Sequence, residues 1–239
     1  MNNSRVTPDS HGRALDARRY THKASLGSSH ELIVRLLGDG AGRTCVDAGC
    51  ASGYLADQLR KNNWRVIGIE PDARAAAVAR GRCDALVESP LEDVDFRGLG
   101  PYQAVVFGDV LEHLVHPDSV LQSAVRSLDS GGAVLASLPN TAFVLIRMSL
   151  LFGRFDYTER GILDETHLRF FTKRSALSLL VSSGIAVESA KATIPPIELV
   201  MSGIASPAVR PTRALLRALA RIWPAGFGYQ FVFSGTKAG

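Results

Sequence analysis

Apolar and polar positions along this chain switch repeatedly between two periods. Short, nearly continuous apolar runs at 44–48, 65–70, 84–88, 104–108 and 133–137 predict buried strands. Between and after them, at 53–62, 72–80, 117–128 and 173–183, apolar residues recur at helical spacing, which predicts helices with one apolar face. Ser28 and Ser29 stand where a cap belongs, before a helix from His30 to Leu37 that Gly38 closes. Two more strands are expected at 185–190 and 228–236. In the second, Tyr229, Phe231 and Phe233 alternate with smaller residues, the pattern of a half-buried strand. Strands alternating with helices imply βαβ units, so the fold class is α/β with a mostly parallel sheet and an antiparallel strand near its end.

Three segments stand outside this alternation. Residues 1–23 lack periodicity and are expected to form a mobile basic N-terminal segment ahead of one domain spanning 24–239. Residues 138–171 follow the fifth strand and therefore lie at the carboxyl edge of the sheet, where open α/β folds bind ligands. With 191–227 they are expected to cover the site as lid and acceptor segments. Within 210–223, Arg210, Arg213, Arg217 and Arg221 share one helical face and Leu215, Leu216, Leu219, Ile222 and Trp223 the other. That helix either packs its leucines inward beneath a solvated arginine face, or makes weak contact with an anionic membrane surface or a phosphorylated acceptor.

Charge narrows the partners. The net charge of +4 is unevenly spread: residues 1–23 carry +3 and 191–239 carry +5, leaving the middle at −4. A neutral-to-acidic body with basic ends differs from a nucleic-acid-binding face, where basic residues interleave with stacking aromatics. The three cysteines show no zinc-ligand spacing, and their odd number disfavours a disulfide framework. A reducing cytoplasm is expected, as the polar N-terminus has no apolar signal core and no apolar run reaches the length of a membrane span.

The chemistry is concentrated in Thr44-Cys-Val-Asp-Ala-Gly-Cys-Ala-Ser-Gly-Tyr54 and in Glu70. The first is a strand, a glycine-rich turn and the start of a helix. Glu70 ends the next strand, 21 residues after Gly49, a spacing that brings a carboxylate to the ribose of a nucleotide held over the turn. A dinucleotide fingerprint would need glycine where Ala51 and Tyr54 stand. Asp47 would also repel a pyrophosphate, yet it would attract an ammonium group. These features suit S-adenosylmethionine, and the turn Asp47-Ala-Gly-Cys-Ala-Ser-Gly53 resembles the first motif of class I S-adenosylmethionine-dependent methyltransferases. Ala51 departs from the glycine most relatives carry. The resemblance implies a Rossmann-like seven-stranded sheet with helices on both faces. It implies that Asp47, Gly49, Cys50, Ala51, Gly53 and Tyr54 hold the methionine end and Glu70 the ribose. Ser89 and Leu91, with Pro90 in the slot the family often fills with an acid, then flank the adenine.

Asp109-Val-Leu-Glu-His113 at the end of the fourth strand resembles a recurring fourth motif of the same family, which lies beside the reactive methyl and adds Asp109 and Val110 to the cofactor contacts. Gly131-Gly132 and Ser137-Leu-Pro-Asn140 agree in order and spacing. The tail Gly161-Ile-Leu-Asp-Glu-Thr-His-Leu-Arg-Phe-Phe-Thr172 looks like a subgroup from polysaccharide-assembly clusters, similar to the methionine-biosynthesis protein W type. The expected reaction is O-methylation of a small molecule or glycan precursor. A hydroxyl acceptor needs a base, and His113 and His167 are the two candidates. Each has a structural reading as well, as a packed or hydrogen-bonded anchor. Asp109, Glu112 and His113 have a further reading as a divalent-metal set. Two other classes remain at this point: a non-catalytic relative that regulates a partner enzyme, and a nicotinamide enzyme.

Overall fold

The computed structural model describes residues 28–195 and 209–238, with the side chains of 209 and 210 excepted. The expected mobile segment 1–23 lies outside the described residues. The strands are β1 (Thr44–Ala48), β2 (Arg65–Ile69), β3 (Ala85–Val87), β4 (Ala104–Gly108), β5 (Ala133–Pro139), β6 (Ile185–Ala192) and β7 (Gln230–Lys237). The helices are α1 (Ser29–Leu37), α2 (Tyr54–Lys61), α3 (Ala73–Ala79), α4 (Pro117–Ser127), α5 (Val144–Leu151), α6 (Lys173–Ser182), α7 (Val209–Ile222) and α8 (Pro224–Phe227). The sheet runs β3-β2-β1-β4-β5-β7-β6, with β1 to β5 parallel and β7 antiparallel to both of its neighbours.

This order reverses between β1 and β4. The chain leaves β1 towards β2 and β3, then returns to lay β4 on the other side. The reversal falls at the carboxyl ends of β1 and β4, the place where such sheets bind ligands. Both faces of the sheet are covered. On one, Cys45, Val66, Ala104 and Val106 meet Ile33 of α1 and Leu55 and Leu59 of α2. On the other, Val46, Val105 and Phe107 meet Leu121 and Ala124 of α4 and Ala176 and Leu180 of α6. Strands buried on both faces read as continuous apolar runs, which is why the sequence pattern located them.

The structure changes four expectations. β5 continues to Pro139, past the expected end at 137. β7 is not half-buried: Phe231, Val232 and Phe233 are all buried, because the strand enters the sheet between β5 and β6. Within the segment 138–171, α5 forms without having been expected. Phe143, Ile162 and Leu163 close a small core there with Phe155, Phe170 and Tyr229. Finally, the apolar face of α7 is divided. Ala220 is buried, with Leu216 and Leu219 partly covered, whereas Leu215, Ile222 and the following Trp223 are exposed. No helix among the described residues is long and apolar enough to cross a membrane.

Candidate active site

Asp47 lies inside β1, paired with Gly68 of β2 on one side and Val106 of β4 on the other. The residue is 2% exposed, and among the described residues its Oδ2 has no hydrogen-bond partner. Burial, with the nearby Glu70 charge as the smaller cause, pushes its carboxyl up to about 7. The chain then turns at Gly49, whose φ is +76°. A Cβ at Gly49 would sit 2.5 Å from Cγ2 of Val110, so only glycine lets the two loops meet. Ala51 takes the left-handed region at φ +47°, where its Cβ is strained. The Cys50 and Cys83 thiols are both buried and flank Gly68 of β2.

Glu70 follows β2 and is 9% exposed. Its Oε2 accepts from the Ala51 N–H at 2.9 Å and its Oε1 from the Asp72 N–H at 3.0 Å. These bonds fix the carboxylate over the turn. Each oxygen accepts one N–H, and a carboxylate oxygen has lone-pair room for a second donor. Burial raises the Glu70 carboxyl, and the two backbone bonds act in the opposite direction.

The loop after β3 divides its three expected contacts. Leu91 is buried in the main core, while Ser89 is half-buried and Pro90 exposed at the rim. The Ser89 hydroxyl donates to the Pro90 carbonyl at 3.1 Å.

Asp109 begins the loop after β4 at φ +55°. Its Oδ1 accepts from the Ser137 hydroxyl at 2.6 Å and from Gln230 Nε2 at 3.1 Å, and its Oδ2 accepts from the Ser29 hydroxyl at 3.1 Å. One carboxylate thus ties α1, β5 and β7 to the end of β4. Ser28 caps α1 by accepting the Glu31 N–H, which leaves Ser29 to reach Asp109. The same helix turn places His30 beside Tyr54, with ring centroids 6.3 Å apart and planes inclined by 26°. Ser29, His30 and Gln230 join this constellation through Asp109 and Tyr54, and the sequence pattern marks only Ser29, as a helix cap. The only signal for the other two is polar character next to helix and strand ends.

The 3₁₀ turn Leu111–His113 carries the rest. The Glu112 carbonyl accepts the N–H groups of Leu168 and Arg169, so the return of the 138–171 segment is pinned to this turn. His113 and His167 therefore meet edge to face, with centroids 4.8 Å apart. His113 Nδ1 lies 3.2 Å from the Thr166 carbonyl and 3.3 Å from the Thr166 hydroxyl, whose own proton goes to Asp164 Oδ1 at 2.7 Å, so both oxygens face Nδ1 as acceptors and Nδ1 is assigned the proton. His167 Nδ1 likewise donates to the Ile162 carbonyl at 3.1 Å, and its Nε2 lies 3.9 Å from Glu112 Oε1. Burial first, then the neighbouring His167, lowers the His113 imidazole to about 4. Glu112, His113 and His167 each bring one ligand-capable atom within 4.8 Å of the others. Asp109, the third member of the metal set considered from sequence, is bonded to Ser29, Ser137 and Gln230 instead.

A family model described as a methyltransferase domain matches residues 18–190. The chain belongs to the S-adenosylmethionine-dependent methyltransferases. It is 31% identical over 167 residues to the protein named "Probable S-adenosylmethionine-dependent methyltransferase" of Mycolicibacterium smegmatis, covering 66% of this chain and 58% of that one. It is 30% identical over 105 residues to the ubiquinone biosynthesis O-methyltransferase of Vibrio parahaemolyticus, covering 41% of this chain and 45% of that one. The chain thus spans about half the length of these curated relatives. The fold is shared with a methyltransferase structure from Archaeoglobus fulgidus, at TM-score 0.61 and 16% identity over 87% of this chain and 92% of that one. It is also shared with magnesium protoporphyrin IX methyltransferase from Synechocystis, solved with bound S-adenosylhomocysteine, at TM-score 0.59 and 14% identity over 93% and 84%.

The residues of this chain fit S-adenosylmethionine on two observations. The buried, unpartnered Asp47 Oδ2 is an acceptor waiting for a cation, and the cofactor's amino-acid end carries an ammonium. The Glu70 carboxylate is held in place with acceptor capacity to spare, as a ribose with both hydroxyls free requires. Tyr54 and His30 border the same turn.

Proposed function

We propose that this chain transfers the methyl of S-adenosylmethionine to a hydroxyl of a small molecule or glycan precursor, with His113 as the base. The cofactor supplies a methyl already activated on a sulfonium sulfur. Asp47 would take the ammonium, Gly49 to Tyr54 would follow the methionine chain and Glu70 would hold the ribose. Ser89 and Pro90 would meet the adenine at the rim, with Leu91 supporting them from the core.

The observation that carries the reading is the state of His113. Its Nδ1–H is committed to the Thr166 carbonyl, so the remaining nitrogen, Nε2, is the one with a lone pair. With its imidazole held at about 4, it enters each turnover unprotonated at neutral pH. Low basicity limits the driving force for taking a proton, but no fraction of the base is lost to prior protonation. The acceptor O–H gives its proton to His113 Nε2 as the oxygen attacks, and the proton then passes to water. His167, bonded to the Ile162 carbonyl and close to Glu112, positions His113 through their edge-to-face contact. Relatives named as O-methyltransferases support a hydroxyl acceptor.

The test is S-adenosylhomocysteine production against a panel of hydroxylated aromatics and sugar precursors. For the acceptor found, His113→Gln should lower kcat about 100-fold or more while S-adenosylhomocysteine affinity stays within twofold. Turnover that survives His113→Gln would remove the base from the proposal. Cofactor binding without turnover on any acceptor, together with a co-purifying enzyme, would favour the regulatory reading.

A further inference from the structure

Two helices beside the site are oddly dressed for water. α5 reads Val-Leu-Ile-Arg-Met-Ser-Leu-Leu, and none of its residues is buried. Leu151 is 75% exposed and the next residue, Phe152, 77%. On α7, Ile222 is 81% exposed and Leu215 60%. Arg217 and Arg221 are exposed on the neighbouring strip of the same helix. The two helices belong to one surface. The Arg147 guanidinium of α5 stacks 5.3 Å from the ring of Trp223, the residue that follows α7. Asn140, after β5, donates from Nδ2 to the carbonyls of Ala225 and Gly228, which ties α8, the short helix following α7, to the carboxyl edge of the sheet.

We propose that α5 and the outward face of α7 dock on an anionic lipid bilayer. Neither helix carries an acidic residue, while α5 exposes Arg147 and α7 exposes Arg217 and Arg221. Apolar side chains edged by arginine, on helices lying along a surface, are the chemistry of an interfacial helix. Apolar burial and attraction to acidic headgroups then act on the same face. Trp223, half-exposed beneath an arginine, suits the boundary between headgroup and acyl chain. α5, at eight residues, is far too short to span, so it would lie in the interface.

Charge argues against the other occupants. A second copy would meet this face across a twofold axis and set arginines against arginines. Residues 196–208 carry one charge, Glu198, too little to answer those arginines. The proposal rests on exposure and charge, independently of the acceptor assigned above.

The experiment is co-sedimentation of the full chain with vesicles of equal parts phosphatidylglycerol and phosphatidylcholine, beside pure phosphatidylcholine. The wild type is compared with Leu151→Glu/Phe152→Glu and Arg217→Glu/Arg221→Glu. Trp223 is the reporter, because the second tryptophan, Trp64, is buried. The wild type should bind the anionic vesicles with a blue shift of tryptophan emission. Each double variant should bind at least tenfold more weakly. Added salt, about 0.5 M, should release most of the protein. Unchanged S-adenosylhomocysteine affinity in both variants would show that they are folded and keep the outcome separate from that of the methyltransferase proposal. Folded wild type that ignores anionic vesicles overturns the proposal. So does a solution dimer that Leu151→Glu/Phe152→Glu dissociates, which would give the face to a second copy. So too does Trp223 already shielded from acrylamide in the free protein, which would give it to the chain's own segment.

Discussion

Asp47→Asn isolates the electrostatics of cofactor capture. In the ligand-free protein the Asp47 carboxyl stands at about 7 against 3.8 in water. At about 1.4 kcal/mol per unit, keeping it ionised costs about 4 kcal/mol. An ammonium placed against the unpartnered Oδ2 removes most of that cost, so binding should expel the proton Asp47 still holds. With the carboxyl at about 7, roughly half a proton leaves at pH 7 and about 0.9 at pH 6. Affinity for S-adenosylhomocysteine should then weaken about tenfold between pH 8 and pH 6. Asp47→Asn preserves shape and removes the charge. It should bind more weakly at pH 8, release no proton and lose the pH dependence. Calorimetric titration in two buffers of different ionisation enthalpy measures the proton count directly. Wild-type binding that is flat from pH 6 to 8 with no proton release, or Asp47→Asn that binds as tightly as wild type at pH 8, would refute the reasoning.

Glu70→Ala should weaken S-adenosylhomocysteine binding at least tenfold, because the ribose acceptor and the clamp on the Ala51 and Asp72 N–H groups go together; calorimetry reads it. Ala51→Gly relieves a left-handed alanine at φ +47° and should gain about 0.5–1 kcal/mol in urea unfolding after the extra backbone entropy of glycine is subtracted. Acid stability separates the two shifted groups. His113 is lowered from 6.5 to about 4, so the unfolded chain binds the proton first and stability falls by up to about 3 kcal/mol as pH drops through that window. Asp47 is raised, so its effect has the opposite sign: stability increases as pH falls from about 7 towards 3.8. The Asp47→Asn protein should therefore lose stability more steeply than wild type between pH 6.5 and 4.5, and adding His113→Gln should flatten the curve; denaturant midpoints across pH check both.

What the sequence determined was local. Strands buried on both faces announce themselves as apolar runs, and helices by their period, because each pattern repeats within one element. Asp47, the glycine turn and Glu70 were legible for a similar reason. A parallel pair with one crossover fixes where the carboxyl ends fall, so spacing along the chain becomes spacing across that edge. Tertiary structure decided the rest. Fifty-three residues separate His113 from the Thr166 carbonyl that sets its tautomer, and the Glu112 carbonyl, bonded to the returning segment, brings them together. Asp109 draws donors from 80 residues before it and 121 after it. The same holds for α7. Its arginine and leucine faces were plain in the sequence, but which leucines turn inward depended on neighbours the pattern does not name. Burial and charge coupling depend on distance in space, and only the closed sheet with its returning segment sets those distances.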